Sequence, residues 1–178
     1  MTIKQFNGRY LPQPDRVLVK ANTHSDEEIS LFMTRRVVRQ ILAGGEQKSV
    51  ELEAAQRPGP ASAEVVRFQR EALLQTTDFK QPYQGATRQA LGDKPELVLD
   101  AAYGAGHGQG KPASELVLSL RSGRKLTLQL AQPTLQALCL LLEQLQGQAQ
   151  WDLVPLRTPA SAGGPSNAPS ESSGRTVH

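Results

Sequence analysis

Two stretches of this chain change their apolar period at the same place, and that coincidence limits the fold more than anything else in the sequence. Ile29 to Leu42, "ISLFMTRRVVRQIL", lies over Leu126 to Cys139, "LTLQLAQPTLQALC", without a gap. In the first, Ile29, Leu31 and Met33 alternate with Ser30, Phe32 and Thr34; in the second, Leu126, Leu128 and Leu130 alternate with Thr127, Gln129 and Ala131. Period-2 alternation marks a strand with one buried face. The period then lengthens: Val38, Ile41 and Leu42 correspond to Leu135, Leu138 and Cys139, at helical spacing. Each stretch therefore predicts a strand running straight into a helix.

The likeness extends upstream. Val17 to Ala21 predicts a short strand ahead of the turn "NTHSDEE", and Leu116, Leu118 and Leu120 predict another ahead of "RSGR", where Ser122-Gly123 suits a tight hairpin. Thr34 is placed to cap the first helix with its side-chain oxygen, and Gly44-Gly45 to close it. Pro133 fits the first turn of the last helix, where its missing N–H costs nothing.

Between the units, "SAEVVRFQREALLQ" predicts a helix with Val65, Phe68, Ala72 and Leu73 as its stripe, and Glu96 to Tyr103 predicts a further strand. The segment "DFKQPYQGATRQALGDKP" reads as a long irregular loop. The expectation is an α+β protein: an antiparallel sheet built from two related ββα units, with helices mainly on one face and a disordered C-terminal tail. A single domain would cover 1–155, with units at about 15–45 and 114–147 joined by helix 62–77 and the loop. Residues 156–178, rich in Pro, Ser, Gly and Ala, have too little to bury and read as disordered.

The formal charge of +3 is dispersed. Nine lysines and arginines stand against seven acids in residues 1–60, six against six in 61–112, and five against four beyond. That is an interspersed surface rather than a polyanion footprint. The single cysteine, Cys139, sits in the apolar run "LQALCLLLEQL", so it reads as a small core residue. The start, "MTIKQFNGRY", has no apolar core of a secretory signal, and no apolar run approaches the roughly 20 residues that span a bilayer. These features lead to the expectation of a cytoplasmic protein with no membrane association.

Candidate contact residues are arginines. Arg35, Arg36 and Arg39 share about a third of the helical circumference, opposite Val37, Val38, Ile41 and Leu42. They serve either as the solvated face of a docked helix or, because guanidinium groups fork onto phosphate oxygens, as a nucleic-acid contact. The matching face of the second unit is Gln132, Pro133 and Gln136, so arginine there is not an architectural requirement. The acidic turn Asp26-Glu27-Glu28 is close enough in sequence to neutralise the cluster. Arg67 and Arg70 of the middle helix could extend a basic surface but alternate with Glu64 and Glu71, which favours ion pairing. Trp151 is expected to pack the final segment onto the core, with a partner anchor as the second reading.

Nothing points to catalysis. "YGAGHGQGKPAS" lacks the third glycine of a dinucleotide loop, carries Ala105 and Pro112 at defining positions of a phosphate loop, and precedes a predicted strand rather than a helix. A flexible connection between strands over residues 104–110 is expected. His24, His107 and His178 have no second ligand at metal spacing, and no nucleophile elbow is present. No catalytic residue, metal or cofactor is assigned.

The segment "FNGRYLPQPDRVLVKANTHSDEEISLFMTRRVVRQIL" resembles the N-terminal part of small uncharacterised bacterial proteins, in which a hairpin ends in a hydrophobic-Thr-Arg-Arg helix start, here Leu31 to Arg36. That resemblance implies no activity. The hairpin–helix order is also similar in topology to single-strand-binding folds of the PC4 and Pur-alpha kind, which have more strands per helix and a basic, aromatic sheet. The functional expectation is a non-enzymatic protein-interaction module, an adaptor or scaffold with an unknown protein partner, capable of forming a homodimer through a sheet edge. The alternative is a weak nucleic-acid-binding module using the basic helix face.

Overall fold

The computed structural model describes residues 1–57, 62–76, 83–108 and 111–152. Among them are seven strands and three helices: β1 (Ile3–Leu11), β2 (Arg16–Thr23), β3 (Glu27–Met33), α1 (Arg35–Gln56), α2 (Ser62–Thr76), β4 (Arg88–Gln89), β5 (Glu96–Gly108), β6 (Lys111–Leu120), β7 (Lys125–Leu130) and α3 (Gln132–Gln148). The class is α+β, as the periodicity indicates. The tail expected at 156–178 lies outside the described residues.

The strands form one mostly antiparallel sheet in the order β1-β2-β3-β5-β6-β7, with β4 beside β3. The exceptions are the parallel pairings of β3 with β4 and of β3 with β5, the latter only at Leu31–Glu96 and Phe32–Leu97. The two ends of the strand order meet: Thr2 makes a parallel bridge to Gln129, and Gln129 N–H donates to Met1 O at 2.8 Å. The sheet therefore curls round on itself.

Its concave face is the core. Val17, Val19, Ile29, Leu31, Leu116, Leu118, Leu128 and Leu130 are all buried there, against Val37, Val38 and Ile41 of α1 and Leu135, Leu138 and Leu142 of α3. These are the residues that the alternation and helical spacing select. Each helix turns back over a strand distant in sequence. Around Gly44 and Gly45, α1 lies on Tyr103 of β5; through Leu141 and Leu145, α3 lies on Gly8 of β1.

Several expectations need correction. Gly44-Gly45 does not end α1, which continues three further turns to Gln56. The glycines admit the Tyr103 ring instead, whose hydroxyl donates to Ile41 O at 3.1 Å. Thr34 is the N-cap residue, but its side chain makes no capping hydrogen bond. A strand that the sequence did not announce precedes residue 15: "IKQFNGRYL" forms β1. The glycine segment is not a flexible connection: Gly104 pairs with Glu115 and Gly106 with Ala113, leaving only 109–110 outside the described residues. The Gln129 side chain reaches across β6 over Gly106, where a Cβ would sit 2.6 Å from its Oε1.

Part of the expected loop also orders on the sheet. Residues 83–91 cover the convex side of β2 and β3: Asn22 Nδ2 donates to Gln84 O at 2.9 Å, and Gln89 Nε2 to Glu28 Oε1 at 3.2 Å. Glu28, only 3% exposed, also accepts from Lys20 Nζ at 2.8 Å. The acidic turn is thus committed elsewhere, with Glu27 near Arg88 at 3.7 Å and Asp26 accepting from Thr87 at 2.6 Å. It does not neutralise the arginines of α1.

Candidate functional site

The three arginines at the start of α1 are exposed, while Val37, Val38 and Ile41 between them are sealed in the core. The three side chains have different surroundings. Arg35 is electrostatically coupled to Asp15. Arg36 donates to the backbone carbonyl of Leu99 on β5, and Gln40, one turn later, donates to Asp100 Oδ1 at 2.9 Å. Arg39 lines a cavity between the helices. The sequence cluster is therefore not one phosphate fork but three positions with three neighbourhoods.

The cavity, about 430 Å³, lies where α2 rests on α1 and α3. Its apolar walls are Leu42, Ala43 and Val50 of α1, Ala63 and Val66 of α2, and Cys139 of α3. Arg39, Arg67 and Arg70 line it together with Glu46 and Glu143. The structure thus brings three of the five candidate arginines together, from two helices. Arg70 forms an ion pair with Glu143 of α3 rather than with Glu64 or Glu71. Arg39 and Arg67 have no ion pair or hydrogen bond among the described residues.

A polar knot beside the cavity fixes α2 in place. Glu53 of α1 is 3% exposed and accepts from Gln132 Nε2 at 3.0 Å and Gln69 Nε2 at 3.1 Å. Gln132 also donates to Gln69 Oε1 at 2.9 Å. Both donors to Glu53 reach the same oxygen, Oε2, while Oε1 has no hydrogen bond among the described residues and faces only the Arg57 guanidinium at 3.8 Å. Gln132 and Gln136 are each 5% exposed, so the α3 face matching the arginine face of α1 is not solvated but lies under α2. Sequence reasoning missed this network; an uncharged glutamine pair on a face assumed wet was its one signal.

Cys139 on the cavity wall is the free cysteine. Burial, reinforced by Glu143 and Glu46 and opposed by Arg70, pushes its thiol up to about 12. It stays protonated at neutral pH and is no nucleophile there.

Trp151 is 3% exposed, and its Nε1 donates to Asp15 Oδ1 at 2.7 Å. Tyr10 donates to the same oxygen at 2.8 Å and meets the indole edge-on, with ring centroids 5.9 Å apart. The hydrogen bonds from Trp151 and Tyr10 hold the Asp15 carboxyl below its ordinary value. The indole is an internal anchor closing the end of α3 on β1, not a surface one.

His24 lies in the exposed turn between β2 and β3, His107 on β5, and His178 outside the described residues. Among the described residues no group of three or more His, Cys, Asp or Glu could hold a metal ion. None of the helices is long and apolar enough to cross a membrane.

One strand edge also stands open. Beyond Leu97, β5 pairs only with β6, so from Leu99 to Gly108 its other edge has no strand partner among the described residues. Arg36 caps one carbonyl at its start. Ala102 is exposed, as is Leu99 at 44%.

No protein-family model, no curated protein and no solved structure matches this chain.

Proposed function

We propose that this chain is a non-enzymatic protein-interaction module, an adaptor or scaffold of the cytoplasm, that joins a partner through the open edge of β5. The observation that carries this reading is the length and chemistry of that edge. Ten residues, "LDAAYGAGHG", extend past the last β3 contact with neither lysine nor proline, the residues that usually blunt an exposed strand. Unpaired backbone N–H and C=O groups accept another extended strand readily. A second copy's β5 is the simplest such strand, because an antiparallel β5–β5 pair is self-complementary and carries only Asp100 as a fixed charge.

The two-unit reading belongs with this proposal. The order strand-strand-strand-helix occurs twice, as β1-β2-β3-α1 and β5-β6-β7-α3. The third strand of each lies parallel to the first strand, or its lead-in, of the other, through β3–β5 and Thr2–Gln129. This cyclic arrangement supports a repeat with one more strand per unit than the ββα pattern.

Sedimentation velocity across a concentration series tests the edge. A concentration-dependent dimer is expected, with Ala102→Lys returning the monomer by setting like charges against each other. A wild-type chain that stays monomeric, or a dimer indifferent to Ala102→Lys and to proline substitutions along β5, would remove this reading.

The second reading is a weak nucleic-acid-binding module, favoured by the exposure of Arg35, Arg36 and Arg39 on one helix. A salt titration against labelled single- and double-stranded DNA separates the two. Phosphate contacts give a log-affinity slope falling by about one per arginine removed. No binding, or binding unaffected by Arg→Ala at these sites, dismisses it.

A further inference from the structure

We propose that the cavity between α1, α2 and α3 is a binding site for a small amphipathic carboxylate, an acid with one negative head and an apolar body of medium-chain length. The inference is independent of the sheet-edge reading, since β5 supplies none of the lining residues.

Three observations carry it. First, the volume of about 430 Å³ is the space of a small molecule, within the roughly 300–1,000 Å³ range of ligand pockets and too small for a helix of a partner protein. Second, most of the wall surface is apolar: Leu42, Ala43, Val50, Ala63, Val66 and Cys139 favour a hydrocarbon body, and the Ser49 hydroxyl beside them is already engaged with Gly45 O. Third, the charges do not cancel. Arg70 is neutralised by Glu143, which leaves Arg39 and Arg67 against Glu46 alone, an excess of one positive charge. A monoanion completes that balance.

The head is placed by the unengaged guanidinium groups. Arg39 and Arg67 are exposed, rise from different helices and have no partner among the described residues, so both are free to fork onto a carboxylate. Gln146 also lines the cavity, and its Oε1 is buried without a hydrogen bond among the described residues. Turning that amide presents its NH₂ to the cavity, a donor suited to an acid's oxygen. The body would then lie along α3 toward Val66 and Cys139.

The polar knot of Glu53, Gln69 and Gln132 holds α2 at its standing distance from α1 and α3. The cavity is therefore a formed space rather than one the ligand must open.

The test uses the full chain. Anilinonaphthalene sulfonate, itself an amphipathic monoanion, is titrated by fluorescence and then displaced with decanoate or with decanol, which share the chain and differ in the head. Decanoate is expected to displace the probe at least tenfold more effectively than decanol. Arg39→Gln with Arg67→Gln should remove that preference while leaving decanol unchanged. Val66→Trp should fill the space and abolish displaceable binding; because Val66 is buried, Ala63→Leu at the exposed edge of the same wall serves as a second variant that leaves the core intact. Equal displacement by acid and alcohol overturns the proposal, as does a preference for the acid that survives the arginine substitutions. Probe binding insensitive to Ala63→Leu and Val66→Trp also overturns it, since the probe would then lie elsewhere.

Discussion

Replacing Gly44 with alanine should destabilise the protein, although the same change in an ordinary helix interior stabilises it. The helical preference of alanine over glycine is worth about 1 kcal/mol. Against it stands the Tyr103 ring: a methyl at residue 44 would fall inside contact distance, 2.8 Å from Cε2, well short of the usual carbon–carbon separation of about 3.5–4.0 Å. The ring cannot simply swing away. It is partly buried against the core, and its hydroxyl is tied to Ile41 O at 3.1 Å. Overpacking of this kind costs about 1–3 kcal/mol, and a strained or broken tyrosine hydrogen bond adds about 1 kcal/mol. Taken against the helical gain, the net loss is about 2 kcal/mol. Urea unfolding followed by circular dichroism measures it, with a fall in midpoint of roughly 1 M at an m-value of about 2 kcal/mol/M. The decisive comparison is a double-mutant cycle. In a Tyr103→Leu background, itself destabilised, Gly44→Ala should cost nothing or stabilise slightly. A higher midpoint for Gly44→Ala alone, or an undiminished loss in the Tyr103→Leu background, would refute the close-approach account of the glycine pair.

Other expectations follow from buried groups. Burial pushes the Glu28 carboxyl up, but the hydrogen bonds from Lys20 and Gln89 help hold the net value below the ordinary 4.5. Its contribution is therefore complete above that value and lost as pH falls through the depressed folded value. Glu28→Gln should cost about 2 kcal/mol at neutral pH and flatten the acid limb of a stability-versus-pH curve. The Cys139 thiol, held at about 12, should react with a disulfide reagent at pH 8 far more slowly than an ordinary thiol, because almost none of it is thiolate. Labelling of the native protein at the rate of a free cysteine would refute the raised value. Trp151 is the single tryptophan, so its emission should be blue-shifted in the native state. Trp151→Phe should cost about 1–2 kcal/mol by removing the hydrogen bond to Asp15, read from the thermal midpoint.

Where one face of an element is greasy and the other wet, the sequence was legible. The alternation in β2, β3, β6 and β7 and the helical spacing in α1 and α3 select the residues found in the core. What escaped was structure whose reason lies in a distant residue. Gly44-Gly45 looks like a helix stop until Tyr103, some sixty positions later, is seen to need the space. Gly106 looks like loop chemistry until Gln129 is found lying over it. β1 has too mixed an alternation to announce itself and depends on β2 and α3 for its place. At the candidate site, the five arginines were visible, but their division was not. Only the docking of α2 separates Arg39, Arg67 and Arg70 from Arg35 and Arg36, and only the fold brings Arg36 to the β5 carbonyl.

The way α1 lies over β5 while α3 lies over β1 makes the early and late halves of the chain hostages to one another. Neither the first 56 residues nor the segment from 96 onward possesses a lid of its own for its opening strand. Expressed separately, each should be a sticky fragment, and mixing the two should restore the native spectrum by mutual clasping. Folding of the intact polypeptide should accordingly be all-or-none and slow, because the contacts that complete it join positions remote along the chain.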